Sequence, residues 1–306
     1  MKRFTITLFF ILSLSYFAFA QVFFGNNTAQ KPAKIVDHAI MQAIYKVSSV
    51  SDSSNLERVA VDTMILQVGS NRISKFFTDT RLRDSILQVR MGQRLAAAQV
   101  SGGNLTVQRV GTTGSSLSGG DQSIIFKNWP SGNITVTDRV MMDAYTYTEP
   151  SIEMLWQMLP ETDTILTYPC QKAITTFRGR NYEAWFAPDI PLNEGPWKFN
   201  GLPGLILKIS DTRQHYVFEC IGLEQTAAPI EYADLDYLKT NRRDFARVKR
   251  KFYEDPMAAA ESMTSALPAG ARVRVMATNA DGSTMDESEM RNRMRNRAYN
   301  PIELDY

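Results

Sequence analysis

Between residues 124 and 221 the chain offers eight short runs rich in Val, Ile, Phe, Tyr and Thr: 124–129, 134–141, 144–148, 152–158, 165–177, 181–186, 205–209 and 216–221. Pro130, Gly132, Pro150, Pro160, Gly179 and Asp211 break them. Runs this short and this closely spaced must fold back on their neighbours as antiparallel strands, because parallel pairing needs a long crossover between them. One longer break, 187–204, carries Pro188, Pro191, Pro196 and Pro203, which bar regular structure. In 181–186 Tyr182, Ala184 and Phe186 share one face, and in 216–221 Tyr216, Phe218 and Cys220 do the same. Alternation of that kind buries one side of a sheet.

The flanks extend this pattern. Val-, Ile- and Met-rich stretches at 39–50 and 58–68 are separated by the turn-prone Ser51-Asp52-Ser53-Ser54-Asn55, and a further strand is expected at 73–77. Leu82, Ile86, Val89 and Leu95 recur at helical spacing and predict an inserted helix ending near Ala98. The Gly- and Ser-rich stretch 101–120 lacks the apolar content to offset its ordering entropy and reads as a mobile excursion. Past Ala227-Ala228-Pro229 the composition shifts. Residues 237–253 set Leu238, Phe245, Val248 and Phe252 on one helical side, and Asp255-Pro256 opens a second helix at 257–267. The expected fold is α+β and mainly antiparallel β: a curved sheet with one inserted helix and a helical C-terminal extension. The expected organisation is a leader at 21–34, a β domain at 35–226 with its insertion at 101–120, and the extension at 227–306.

Residues 1–20 stand apart. Lys2 and Arg3 precede an apolar run of about 14 residues, too short to span a bilayer, and Ala18-Phe19-Ala20 suits a signal peptidase. Cleavage there leaves 286 residues with 32 basic against 32 acidic side chains and no further membrane segment. The expectation is an exported protein of the periplasm or cell envelope. Its balanced charge gives no electrostatic footprint for nucleic acid. In an oxidising compartment Cys170 and Cys220 can form a disulfide closing about 50 residues, worth roughly 3–4 kcal/mol in the chain-entropy model. The competing reading is a pair of small buried hydrophobes.

Two His and two Cys cannot build a His-rich or Cys₄ metal centre, so no metal or cofactor is expected. No H-E-x-x-H, G-x-S-x-G, C-x-x-C or phosphate-loop motif occurs. No catalytic residue is assigned and the chain reads as non-enzymatic. An enzyme would need a site assembled from distant residues, with His215, Asp211 and Arg178 as candidates. The cations of the 237–253 helix, among them Arg242, Arg243, Arg247, Lys249 and Lys251, read as a solvated face or as a contact for an anionic surface.

The most distinctive residues lie in two segments. The first is Phe177-Arg178-Gly179-Arg180-Asn181-Tyr182-Glu183-Ala184-Trp185-Phe186-Ala187-Pro188. The second runs from Gly195-Pro196-Trp197-Lys198-Phe199-Asn200 into Gly201-Leu202-Pro203-Gly204-Leu205-Ile206. That last hexamer spells the name of the GLPGLI family, exported proteins of Gram-negative bacteria, which this chain resembles over about 35–225. Asn300-Pro301-Ile302-Glu303-Leu304 resembles that family's ending. The resemblance implies export and brings no reaction or catalytic residue with it.

Read physically, Pro203-Gly204 suits a type II turn with Gly204 at positive φ, and Gly201 lets backbone pass close to a neighbour. Trp197, Phe199 and Leu202 need burial, either as a packed cover over the sheet or as a surface for an apolar ligand or envelope-protein partner. Trp185, Arg178 and Arg180 complete the candidate binding set. At the hairpin tip, each arginine is either solvated or clamps a carboxylate such as Asp189 or Glu194.

Overall fold

The computed structural model describes residues 33–78, 105–109, 123–140, 143–233, 235–255, 273–278, 284–285, 288, 292 and 298–306. Its strands are β1 Lys34–Ser49, β2 Ala60–Gly69, β3 Ser74–Thr78, β4 Leu105–Arg109, β5 Ile124–Lys127, β6 Asn133–Val140, β7 Asp143–Pro150, β8 Gln157–Ile165, β9 Tyr168–Phe177, β10 Arg180–Ala187, β11 Leu205–Asp211, β12 Tyr216–Gln225, β13 Pro229–Tyr232, β14 Leu238–Lys239, β15 Val273–Thr278 and β16 Thr284–Met285. One helix, α1 Arg242–Glu254, follows β14. Asn241 caps it by accepting from the Asp244 amide, and Phe245 is its buried residue.

The main sheet runs β14-β7-β6-β5-β3-β2-β1-β12-β11-β10-β9-β8, with β13 paired to β1. Every pairing in it is antiparallel except β14 on β7. The antiparallel α+β reading therefore holds. The signal-like residues 1–20 and the helices expected around residues 82–98 and at 257–267 lie outside the described residues. Two expectations change. Leu105–Arg109, inside the Gly- and Ser-rich insertion, is a strand that pairs in parallel with β15. The 227–306 extension holds strands as well as α1.

The predicted strand at 152–158 is displaced. Residues 151–156 are irregular and pairing starts at Gln157. Side-chain bonds take over there: Thr175 Oγ1 donates to the Leu155 carbonyl and Trp156 Nε1 donates to the Asn200 carbonyl. Pro160, which has no amide to donate, sits where the β8–β9 register shifts between Met158 and Thr162.

The sheet curls. β7 and β9 are nine places apart in strand order, about 40 Å in a flat sheet at roughly 4.8 Å per strand. Yet Lys198 of the 188–204 loop reaches the Tyr147 hydroxyl of β7 at 3.3 Å, while its neighbour Trp197 packs on Phe177 of β9 with ring centroids 5.8 Å apart. The strands wrap around this loop, and edge-to-face rings continue inward from Tyr182 to Phe199, Phe218, Phe76 and Tyr45. The Tyr45 hydroxyl donates to the Ile206 carbonyl at 2.6 Å.

Candidate functional site

The hairpin between β9 and β10 turns on Arg178 and Gly179, both at positive φ (50° and 79°) as a two-residue type I′ turn requires. That turn aims two arginines at residues 299–306, which lie across it as a strap. Arg180 Nε donates to the Ile302 carbonyl at 3.0 Å. Its Nη2 donates to Pro301 O and Asn300 Oδ1, both at 2.6 Å. Arg180 also pairs with the buried Asp211 at 3.0 Å and lies over the Tyr216 ring. The Leu304 amide donates to the Arg178 carbonyl at 2.9 Å.

Beside the strap lies an ion network, buried at Lys198, Arg178, Glu149 and Glu303 and opening to solvent at Arg242 and Asp305. Lys198, 1% exposed, donates to Glu149 Oε1 at 2.5 Å and to Glu303 Oε1. Arg178 binds the other oxygen of Glu149 at 2.5 Å, and Arg242 of α1 binds Glu303 at 2.9 Å and Asp305 at 2.8 Å. Three cations thus face three carboxylates drawn from β7, the β9–β10 turn, the loop, α1 and the strap. Burial works against charge on Lys198, but the Coulomb contributions of Tyr147, Glu303 and Glu149 hold its pKa above the usual lysine range. Burial pushes Tyr147 up to about 12, so it serves as a neutral hydroxyl.

The arginines do clamp carboxylates, but not the expected ones. Asp189 is exposed, and Glu194 pairs instead with buried Lys127 at 2.5 Å. Lys127 also donates to the Gly195 and Phe199 carbonyls, tying the loop to β5. Sequence reasoning missed the Lys127–Glu194 pair and the grouping of Glu149, Lys198, Arg242, Glu303 and Asp305, because their members come from segments far apart in the chain.

Of the binding candidates, Trp197, Phe199 and Leu202 are at most 4% exposed, so the loop packs as a cover. Trp185 is half-buried on the other face of β10, where Lys172 lies over its ring. Cys170 and Cys220 are free buried thiols. They sit on β9 and β12, with β10 and β11 between them, and each donates to a carbonyl near it in sequence. Of the two readings, the pair of small buried side chains is the one the structure shows. Of the residues considered for an assembled active site, Asp211 is held by Arg180 and the Tyr216 amide, Arg178 by Glu149, and His215 Nδ1 lies 3.2 Å from the Asn300 amide.

The two motif glycines exchange their expected roles. Gly201 carries the positive φ, at 96°, whereas Gly204 is outside the positive-φ set. A Cβ on Gly204 would lie 2.2 Å from the Ala187 carbonyl oxygen, so this is the close backbone approach.

Next to the network is a partly open pocket of about 90 Å³, bordered by Ser49, Ser123, Trp197, Tyr216, Phe245 and Tyr306. It has room for a few water molecules and is far below the several hundred Å³ of a usual small-molecule site. No group of three or more His, Cys, Asp or Glu with metal-binding geometry occurs among the described residues, and no described helix is long and apolar enough to cross a membrane.

Acid should loosen this assembly. Burial raises the Glu303 pKa, but Lys198 and Arg242 outweigh it and leave the carboxyl below its ordinary value. Asp37 is likewise lowered, because bonds from Asn71, His38 and Ser70 outweigh its burial. A carboxylate whose folded pKa is depressed contributes stability above its unfolded pKa and loses it as pH falls through the folded value. Urea midpoints should therefore be flat from pH 7 to 5 and drop below about pH 4. A Glu303→Gln chain should show a shallower drop.

Two solved structures resemble the chain weakly. "Structure of PNGF-II in P21 space group" is 13% identical with a TM-score of 0.46, covering 71% of this chain and 34% of that one. "Structure of PNGF-II in C2 space group" is also 13% identical at 0.46, covering 70% and 33%. The chain spans about a third of their length. No curated protein matches it. A family model described as "Protein of unknown function (Porph_ging)" matches residues 178–208, the segment that supplies Arg178, Arg180 and Lys198 to the clamp and Gly201 and Gly204 to the loop beside it.

Proposed function

We propose that this chain is an exported cell-envelope protein of the GLPGLI type and that it acts without catalysis, as a scaffold that holds an envelope-protein partner. The observation that carries the reading is the clamp. Arg178, Arg180 and Lys198 direct their charges inward onto Glu149, Asp211 and the strap, and Tyr182, Phe186, Trp197 and Phe199 bury their rings in the core. Such an arrangement rigidifies a sheet. It also commits Arg178, Arg180 and Lys198 to fixed ion pairs in place of proton transfer. Export is supported by Lys2-Arg3, the apolar run and Ala18-Phe19-Ala20. Two measurements test the proposal. Protein recovered from the envelope fraction should begin at Gln21 by mass spectrometry. Deleting the gene should change the envelope's protein composition while leaving its small-molecule profile unchanged. A retained residue 1–20 segment, or an accumulated metabolite with unchanged envelope proteins, overturns it.

A further inference from the structure

The strap is held the way a peptide ligand is held. Five of its hydrogen bonds run through main-chain groups to side chains or carbonyls of distant segments. The Asn300 amide donates to Ser51 O, the Tyr216 hydroxyl donates to Asn300 O, Arg180 reaches the carbonyls of Pro301 and Ile302, and the Leu304 amide reaches Arg178 O. Two side chains add selectivity. Asn300 donates to Val50 O and accepts from Arg180, and Glu303 is gripped by Lys198 and Arg242. The Leu304 side chain, by contrast, is 46% exposed. An extended backbone fixed by main-chain bonds, with two anchoring side chains, is the pattern of peptide recognition. None of these contacts requires the strap to be continuous with the rest of its own chain.

We propose that the groove formed by Arg178, Arg180, Lys198, Tyr216 and Arg242 is a peptide-recognition site for extended Asn-Pro-x-Glu segments. In the isolated chain its own strap fills it, and a second polypeptide carrying that sequence fills it when it displaces the strap. The groove and its ligand rest on the strap geometry alone, whatever compartment the chain occupies. The occupant is a protein segment with an asparagine, a proline-fixed turn into extended backbone, and a carboxylate two residues further on. The buried Lys198 and the partly exposed Arg242 select that carboxylate, so a lysine or a neutral amide there is excluded. Because the strap is tethered, it competes at a high effective concentration, and a free peptide binds far more weakly to the intact chain than to one with a weakened strap.

The test uses the full chain and a synthetic peptide of sequence 299–306, mass-labelled. A full-length Asn300→Ala/Glu303→Ala chain should bind the peptide at least tenfold more tightly than the unaltered chain does and melt at a higher temperature in its presence. A peptide carrying Glu303→Lys should do neither. If the altered chain does not fold, the unaltered chain with excess peptide is followed by hydrogen exchange. Its own Leu304 amide should lose protection while the peptide's gains it. The proposal is overturned if the two peptides behave alike, or if millimolar peptide leaves the strap's protection unchanged.

Discussion

Replacing Lys198 by methionine is expected to lower stability by about 3–5 kcal/mol, the usual result of removing one partner from a buried charge pair. For a chain of this size that corresponds to a fall in melting temperature of roughly 5–15 °C. The argument rests on what the ammonium leaves behind. Glu149 and Glu303 are both about nine-tenths buried, and both point at the same nitrogen. With it gone, Arg178 and Arg242 remain, each on the far oxygen of one carboxylate, while the two near oxygens face each other with no cation between them. Without Lys198, Glu303 loses the largest influence that lowers its pKa and takes up a proton more readily, which moves the pH of maximum stability downward. Lys198→Met should therefore be most damaging near pH 7 and least near pH 4, the reverse of the unaltered chain's profile. A Lys198→Met/Glu303→Gln pair should recover part of the loss, since the two positions are in direct contact and do not add. Urea titrations at both pH values measure all of this. An unchanged midpoint for Lys198→Met would show that the clamp does not hold the curl.

Much of the sheet is readable from spacing alone. The breaks at Pro130, Gly179 and Asp211 fall at or beside turns, and Tyr182, Phe186 and Phe218 face the core as their alternation requires. Local chemistry sets these features, and a window of six residues contains it. The clamp is different. Glu149 and Glu303 are 154 positions apart, and in its own segment each looks like an ordinary solvated acid. Only the curl of the sheet brings them to Lys198, and curl depends on how a long loop fills the concave face. The need to bury Trp197 and Phe199 was the one local sign of that filling. It pointed to the loop as a cover but not to the charges next to it. Likewise the bridge between Cys170 and Cys220 is compatible with their spacing, whereas the strand order sets β10 and β11 between them.

The glycines of the hexamer give the second large effect, and geometry orders them differently from turn statistics. Gly204→Ala is expected to be the severe change. Its new Cβ would meet the Ala187 carbonyl oxygen at 2.2 Å and the Ala187 carbon at 2.6 Å, both backbone atoms that cannot rotate away. Ala187 ends β10 and pairs with Leu205, so relief requires pulling β11 off β10 at the point where the loop enters the core. Overpacking against backbone in a closed core costs about 3 kcal/mol or more. At Gly201 the new methyl has room, with nothing nearer than the Trp156 indole at 3.6 Å, and the penalty is only that of positive φ, about 1–2 kcal/mol. Gly201→Ala should thus fold with a modestly lowered urea midpoint. Gly204→Ala should lose at least twice as much and expose the Trp197 fluorescence to solvent. Equal losses at the two positions would mean that β10 and β11 can part without disturbing the loop, and the 188–204 cover would then not be what the sheet curls around.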